Sequence, residues 1–288
     1  MFPIFLLITS CFLFSILAAL VKFNGQFVHP IEQAFFRNFF SIFLLIPFIY
    51  KIKKIISKKK NIKLLVLRGF FGGITMILLF CSYTMIPLSQ AMAVSFSTPL
   101  FIYLGGIIFF NEKTNKFNIC MLILGFILTL IIIRPDVEIK LGTVLALVAA
   151  ITHAVAGLLV KEISKHESTL ILMLSMVILM SPITFIPSIY VWSPTKDFMS
   201  YLFLIVIAFT ATLGNYCWTN ALSQSKLTNL MPFDFSKLIF ATLLGILFFD
   251  EELDLVTVIC GILLLICNNL TILNIKKNAG PKAILPNS

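Results

Sequence analysis

Ten apolar runs separated by short polar connections set the pattern of the chain: 2–21, 32–50, 64–86, 88–110, 117–133, 141–160, 169–190, 200–222, 228–249 and 255–274. Crossing the hydrocarbon core takes roughly 20 apolar residues as helix, because a helix satisfies its backbone polar groups internally. The pattern therefore predicts an all-α polytopic membrane protein with ten transmembrane helices. No connection is long enough to hold a soluble domain. The run at 2–21 carries no charge, is too long for a signal-peptide core and is followed by no small-residue cleavage site. It is expected to stay as the first helix. The tail from Ile275 is polar, contains Gly280-Pro281 and Pro286, and is expected to fray.

Polar positions orient the spans. With the N-terminus inside, the cytoplasmic connections hold 15 of the 22 Lys and Arg residues, seven of them between Lys51 and Lys63. The external connections hold four, Lys22, Arg134, Lys140 and Lys196; Arg37, Arg68 and Lys237 lie within spans. Cytoplasmic loops are enriched in Lys and Arg, so both termini are expected in the cytoplasm.

The pattern also repeats at an offset of 139 residues. Leu20-Val21-Lys22 returns as Leu159-Val160-Lys161, and nine of the seventeen positions from 96 to 112 recur, among them Phe96/Phe235, Gly106/Gly245 and Glu112/Glu251. One offset that holds at both ends of the unit points to duplication. The expected units are 1–140 and 141–275, five spans each, followed by a cytoplasmic tail at 276–288. An odd number of spans per copy makes the copies inverted across the membrane. Inverted repeats are common in secondary transporters, with the binding site near the midplane between the copies.

Composition agrees: 59% of the 288 residues are hydrophobic and 12% charged, and the mean hydropathy is +1.04. Soluble domains are nearer 25% charged, so lipid must cover most of this surface. The net charge of +10 resides in the loops. There it reads as a topology signal and not as a nucleic-acid surface. Heavy use of Phe, Ile, Lys and Asn points to an AT-rich bacterial genome. The six cysteines fall in apolar segments without C-x-x-C or Cys/His ligand spacing, so free thiols are expected and neither a metal nor a cofactor. No G-x-x-x-x-G-K-[ST] loop, G-x-S-x-G or H-E-x-x-H occurs. The chain is expected to be neither an ATP-driven pump nor an enzyme.

Several motifs carry a family resemblance. The first half holds Leu67-Arg68-Gly69, Tyr83 to Pro87, Ser95-Phe96-Ser97-Thr98-Pro99-Leu100-Phe101, Phe109-Phe110-Asn111-Glu112-Lys113, Gly125 and Ile132-Ile133-Arg134-Pro135. The second holds Leu159-Val160-Lys161, Pro232 to Leu238 and Phe249-Asp250-Glu251. Together they resemble the drug/metabolite transporter superfamily in its ten-helix EamA-type form, over nearly the whole chain. The run from Val94 to Phe101 followed by Phe-Phe-Asn-Glu is similar to the S-adenosylmethionine uptake carriers of obligate intracellular bacteria. The chain departs from them by carrying Asp234 and Lys237 in its ninth span. The resemblance implies a carrier of the bacterial inner membrane whose fourth and ninth helices line a central cavity. The function expected is alternating-access transport of a small polar metabolite, amino-acid-like or S-adenosylmethionine-like. A multidrug or metabolite exporter and a lipid-carrier flippase are the alternatives. Expected partners are the small-molecule substrate, the lipid bilayer and a second copy of the chain, with no nucleic acid.

Asp234 and Lys237 are the most informative candidates. Three residues apart, they share a helix face, and charges at that depth usually face a cavity or each other. They are either a mutually neutralising structural pair, with Lys237 snorkelling, or cavity-lining substrate or proton sites. Their repeat counterparts are Ser95 and Thr98, which would form the opposite wall. Arg37, below Glu32, is either an interfacial snorkelling arginine or an anion-recognising one. Arg68, close to the lysine-rich loop, is expected to snorkel. Pro99 is read as a mid-helix proline that frees a carbonyl near Ser95 or merely kinks the helix. His153 is a core histidine or a proton relay. Gly69 with Gly73, and Gly105, Gly106 and Gly245, are expected to allow close helix packing. Glu112 and Glu251 close the fourth and ninth spans at opposite faces. The acidic run from Asp250 to Asp254 is a solvated helix end or a cation-attracting external mouth.

Overall fold

The computed structural model describes residues 2–47, 59–86, 91, 94–133, 140–193, 198–249 and 255–279. Within them lie ten α-helices of thirteen residues or more: α1 (Phe2–Asn24), α2 (Pro30–Leu45), α3 (Lys59–Met85), α4 (Thr98–Phe110), α5 (Lys116–Ile133), α6 (Leu141–Ile163), α7 (Thr169–Tyr190), α8 (Phe198–Gln224), α9 (Ser236–Phe249) and α10 (Leu255–Ala279). A one-turn helix, Leu227–Leu230, and a 3₁₀ segment, Met231–Phe235, lead into α9. No strand occurs among the described residues. Most of the lysine-rich connection, the Asp250–Asp254 run with Glu251, and the tail beyond Ala279 lie outside them.

Among the described residues, five helices are long and apolar enough to cross a membrane alone: α1, α3 from Ile62, α6, α7 and α8. Around a largely apolar core the chain also exposes large apolar side chains and buries several polar ones. Phe5, Ile108, Phe109, Leu247 and Phe248 are exposed, whereas Ser10, Asn24, Glu32, Gln33, Arg37, Asn38 and Arg68 are buried. Large exposed apolar faces are expected where lipid is the solvent, and buried polar groups where helices meet.

The helix pairings obey the two-fold relation of the repeat. The two most extensive contacts are α3 with α6 and α1 with α8, which the 139-residue offset exchanges. The offset likewise exchanges α4–α6 with α9–α1, while α2 meets its own equivalent α7 and α5 meets α10. Each copy is thus packed through the other. Glycines permit the close approaches. A Cβ at Gly69 would lie 2.5 Å from Leu179 Cβ, and one at Gly73 would lie 2.9 Å from Ile183 Cγ2, so the α3–α7 seam depends on their absence.

Two expectations about the fourth and ninth spans change. The helix of the fourth span starts at Thr98, after helical residues 94–95 and a turn at Phe96-Ser97. Pro99 therefore stands in the first turn of α4, where the N–H it lacks would have had no intrahelical partner. It opens the helix that follows the break at Phe96-Ser97. Asp234 precedes α9, in the 3₁₀ segment that opens with Met231-Pro232. α4 and α9, of 13 and 14 residues, are each only about 20 Å long at 1.5 Å per residue. Both begin inside the protein, next to one another.

Candidate functional site

A cavity of about 160 Å³ opens between the copies, walled by α1, α2, α3, α6, α7, α8 and the starts of α4 and α9. Seven of its lining pairs are repeat equivalents 139 residues apart: Phe14/His153, Leu17/Ala156, Arg37/Met176, Met76/Asn215, Leu79/Trp218, Ser95/Asp234 and Thr98/Lys237. The cavity therefore straddles the axis that relates the copies. Duplication supplied its shape, and the chemistry then diverged, since most pairs join a polar or aromatic residue to an aliphatic or hydroxylic one.

All five residues singled out in the sequence, Asp234, Lys237, Ser95, Thr98 and Arg37, line this one cavity. Asp234 Oδ2 accepts from Lys237 Nζ at 2.7 Å. The carboxylate is 6% exposed and the lysine side chain 18%, so the ammonium is the more accessible partner. The Cys11 thiol donates to Asp234 Oδ1 at 3.8 Å, and Ser15 Oγ donates to the Lys237 carbonyl at 3.0 Å. Lys237 Nζ also stands 5.7 Å from the centre of the Phe14 ring. α1 thus holds the start of α9, and Lys237 points into the cavity instead of snorkelling. On the other copy, Thr98 Oγ1 donates to the Ala150 carbonyl at 3.2 Å and Ser95 Oγ to the Ala91 carbonyl at 2.8 Å. These bonds tie the start of α4 to α6 and close the helical turn before it.

Arg37 is buried and donates to Asn38 Oδ1 at 2.7 Å; Asn38 donates in turn to Thr184 of α7 at 3.2 Å. Glu32 is turned elsewhere, its carboxylate accepting from the Ser193 N–H at 3.4 Å. Arg68, expected to snorkel, does not. It is 3% exposed, lines the same cavity and donates to the Leu172 carbonyl at 3.3 Å. Neighbouring helices, and not the membrane surface, set its direction: α3 is packed along α7, so the guanidinium turns inward. Its charge is within electrostatic reach of Arg37. His153 stacks on Trp218 with ring centres 5.0 Å apart and lies within reach of Lys237, Asp234 and Arg68, so these charged groups share one chamber.

Glu112 works at the end of α4. Its carboxylate accepts from the Leu227 and Thr228 N–H groups at 3.0 and 2.9 Å and from Thr228 Oγ1 at 2.9 Å. It thereby caps the one-turn helix seven residues ahead of Asp234. Lys161 caps the other side of the same junction, donating to the carbonyls of Leu222, at 3.1 Å, and Ser225 at the end of α8.

Sequence reasoning missed Phe14, Ser15, Tyr83, Asn215 and Trp218 as lining residues. An aromatic or hydroxyl in an apolar span looks like packing. The repeat held the missing signal: His153 carried back by the offset gives Phe14, and Ser95 with Asp234 already marked the axis.

Comparison with known proteins agrees with this architecture. The chain resembles an S-adenosylmethionine uptake transporter of Rickettsia conorii, 28% identical over 90% of this chain and 87% of the other. It is 24% identical to an uncharacterized transporter of Helicobacter pylori over 94% of both chains. It is 27% identical to the mouse solute carrier family 35 member G1, over 86% of this chain and 72% of the other. A protein of known crystal structure shares the fold, with a TM-score of 0.79 at 14% identity over 96% of this chain and 98% of that one. The model of the EamA-like transporter family matches residues 1–134 and again 140–271. Two matches of one family model, back to back, accord with a duplicated chain. The chain is a multi-pass membrane protein that belongs to the EamA-like transporter family.

Proposed function

We propose that the chain is a secondary carrier that moves a small polar organic metabolite across the bacterial inner membrane by alternating access, both termini facing the cytoplasm. The observation that carries this reading is the placement of Asp234, Lys237, Arg37 and Arg68 in one chamber on the repeat axis. Ionisable side chains inside a membrane domain are costly and are retained chiefly where water, a partner or a substrate compensates them. Aromatic walls from Phe14, Tyr83, Phe96 and Trp218 give the same chamber surfaces on which a flat or apolar moiety can rest. Charged groups of both signs beside aromatic faces suit an amino-acid-headed solute. Amino acids and S-adenosylmethionine are the candidates, the latter also because it is named for the Rickettsia relatives. The charged groups of both signs in the chamber favour such a solute over a lipid carrier.

The test is uptake into proteoliposomes of labelled methionine, glutamate, lysine and S-adenosylmethionine, with and without imposed ion gradients. Saturable uptake of at least one member above protein-free vesicles is expected. Uniform absence of uptake would remove amino-acid-headed solutes from the account.

A further inference from the structure

The arginine pair carries an inference beyond transport of a polar metabolite. Arg37, from α2, and Arg68, from α3, are both 3% exposed and line the same cavity. Guanidinium groups keep their charge in proteins and carry five N–H donors each. Arg37 donates from Nη1 to Asn38, and Arg68 from Nη1 to the Leu172 carbonyl. Arg68 Nε is buried with no hydrogen-bond partner. Arg37 is a like charge within electrostatic reach of Arg68, and the carboxylate of Asp234 is already held by Lys237 at 2.7 Å. Among the described lining residues three cations thus face one carboxylate. Buried cations that line one cavity are stabilised when an anionic group joins them. Nothing in the described walls does so.

We propose that Arg37 and Arg68 form an oxyanion clamp that takes the carboxylate of the transported solute, with the Asp234–Lys237 pair and the aromatic wall receiving the rest of it. This rests on the carrier reading above and narrows it to solutes that carry a carboxylate. Arginine is suited to the task because its planar fork matches a carboxylate in bidentate geometry. The excess positive charge of the chamber then favours anionic and zwitterionic carboxylates over amines of the same skeleton.

Acetate isolates the clamp from the identity of the solute. Purified protein in detergent is titrated with sodium acetate at constant ionic strength, sodium chloride making up the balance, and thermal unfolding is followed by tryptophan fluorescence. A saturable rise of the midpoint is expected with acetate and none with methylammonium chloride. Arg37→Gln and Arg68→Gln should each weaken the apparent acetate affinity by about tenfold or more, the effect of removing one charged hydrogen-bonding partner. Arg68→Lys keeps the charge and loses the fork, and should fall between wild type and Arg68→Gln; it also serves if the glutamine variant does not fold. No rise with acetate, or equal rises in wild type and both glutamine variants, overturns the clamp. Uptake separates the two readings. Methionine carried equally well by wild type and both variants sinks the clamp and leaves the carrier standing. A clamp that binds acetate in a protein that moves none of the four labelled solutes sinks that carrier reading alone.

Discussion

Phe96 and Phe235 are the same position of the two repeats, and their rings meet with centroids 6.0 Å apart at 42°. A residue can touch its own equivalent only near the axis that relates the copies. Both rings sit one or two residues before α4 and α9 begin, so the two short helices start at this axis and the cavity opens beside it. Phe235 is fully buried and also fills the space over Gly125, where a Cβ would lie 2.8 Å from its ring.

Removing that ring should therefore loosen the junction itself. Phe235→Ala is expected to destabilise the protein by ~3–5 kcal/mol, the usual cost of emptying a buried aromatic site. The drop in unfolding midpoint of purified protein measures it. A change no larger than that of a lipid-exposed control, Phe248→Ala, would show that the junction does not depend on this contact.

Glu112 should matter to transport although it lies away from the cavity. It holds three donors of the segment that leads to Asp234. Glu112→Gln replaces charge-assisted bonds by neutral ones, a loss of about 1–2 kcal/mol, and should lower the transport rate more than it weakens substrate binding. Thr228→Ala removes one of the three bonds and should do so by less. Tenfold loss of affinity with an unchanged rate would place Glu112 in the binding site instead.

Topology follows from the charge count. A reporter fused after Ser288, or inserted near Lys58, is expected to report cytoplasm. An external signal from either position would reverse the orientation.

The charged residues of the cavity were legible in the sequence because an intramembrane charge has so few tolerated places. Asp234, Lys237 and Arg37 stand out against apolar runs, and the offset leads from the first two to Ser95 and Thr98. The repeat was legible for the same reason that it is structural: the identity at Phe96/Phe235 lies where the copies meet. The break before α4 was not. Proline suits both a kink and a first helical turn, and only the turn at Phe96-Ser97 decides between them. The inward course of Arg68 was hidden too. Four residues into a span, a long cation reaches either the membrane surface or the interior, and packing of α3 on α7 makes the choice.

Asp234 by itself distinguishes a working site from a structural one. Asp234→Asn removes the carboxylate that holds Lys237 at 2.7 Å and makes membrane insertion easier. Expression and detergent-solubilised yield should stay at the wild-type level. Uptake of the transported solute should be abolished or its selectivity changed.

The double variant Asp234→Leu with Lys237→Met separates a transport site from a structural ion pair, measured as initial uptake in proteoliposomes matched for protein content. Replacing both members of a buried ion pair by apolar residues is often nearly neutral for folding, so the variant should assemble like wild type. The variant is expected to assemble and not to transport. Uptake at the wild-type rate would show that the pair serves the fold alone, and would contradict the assignment of this cavity as the transport site.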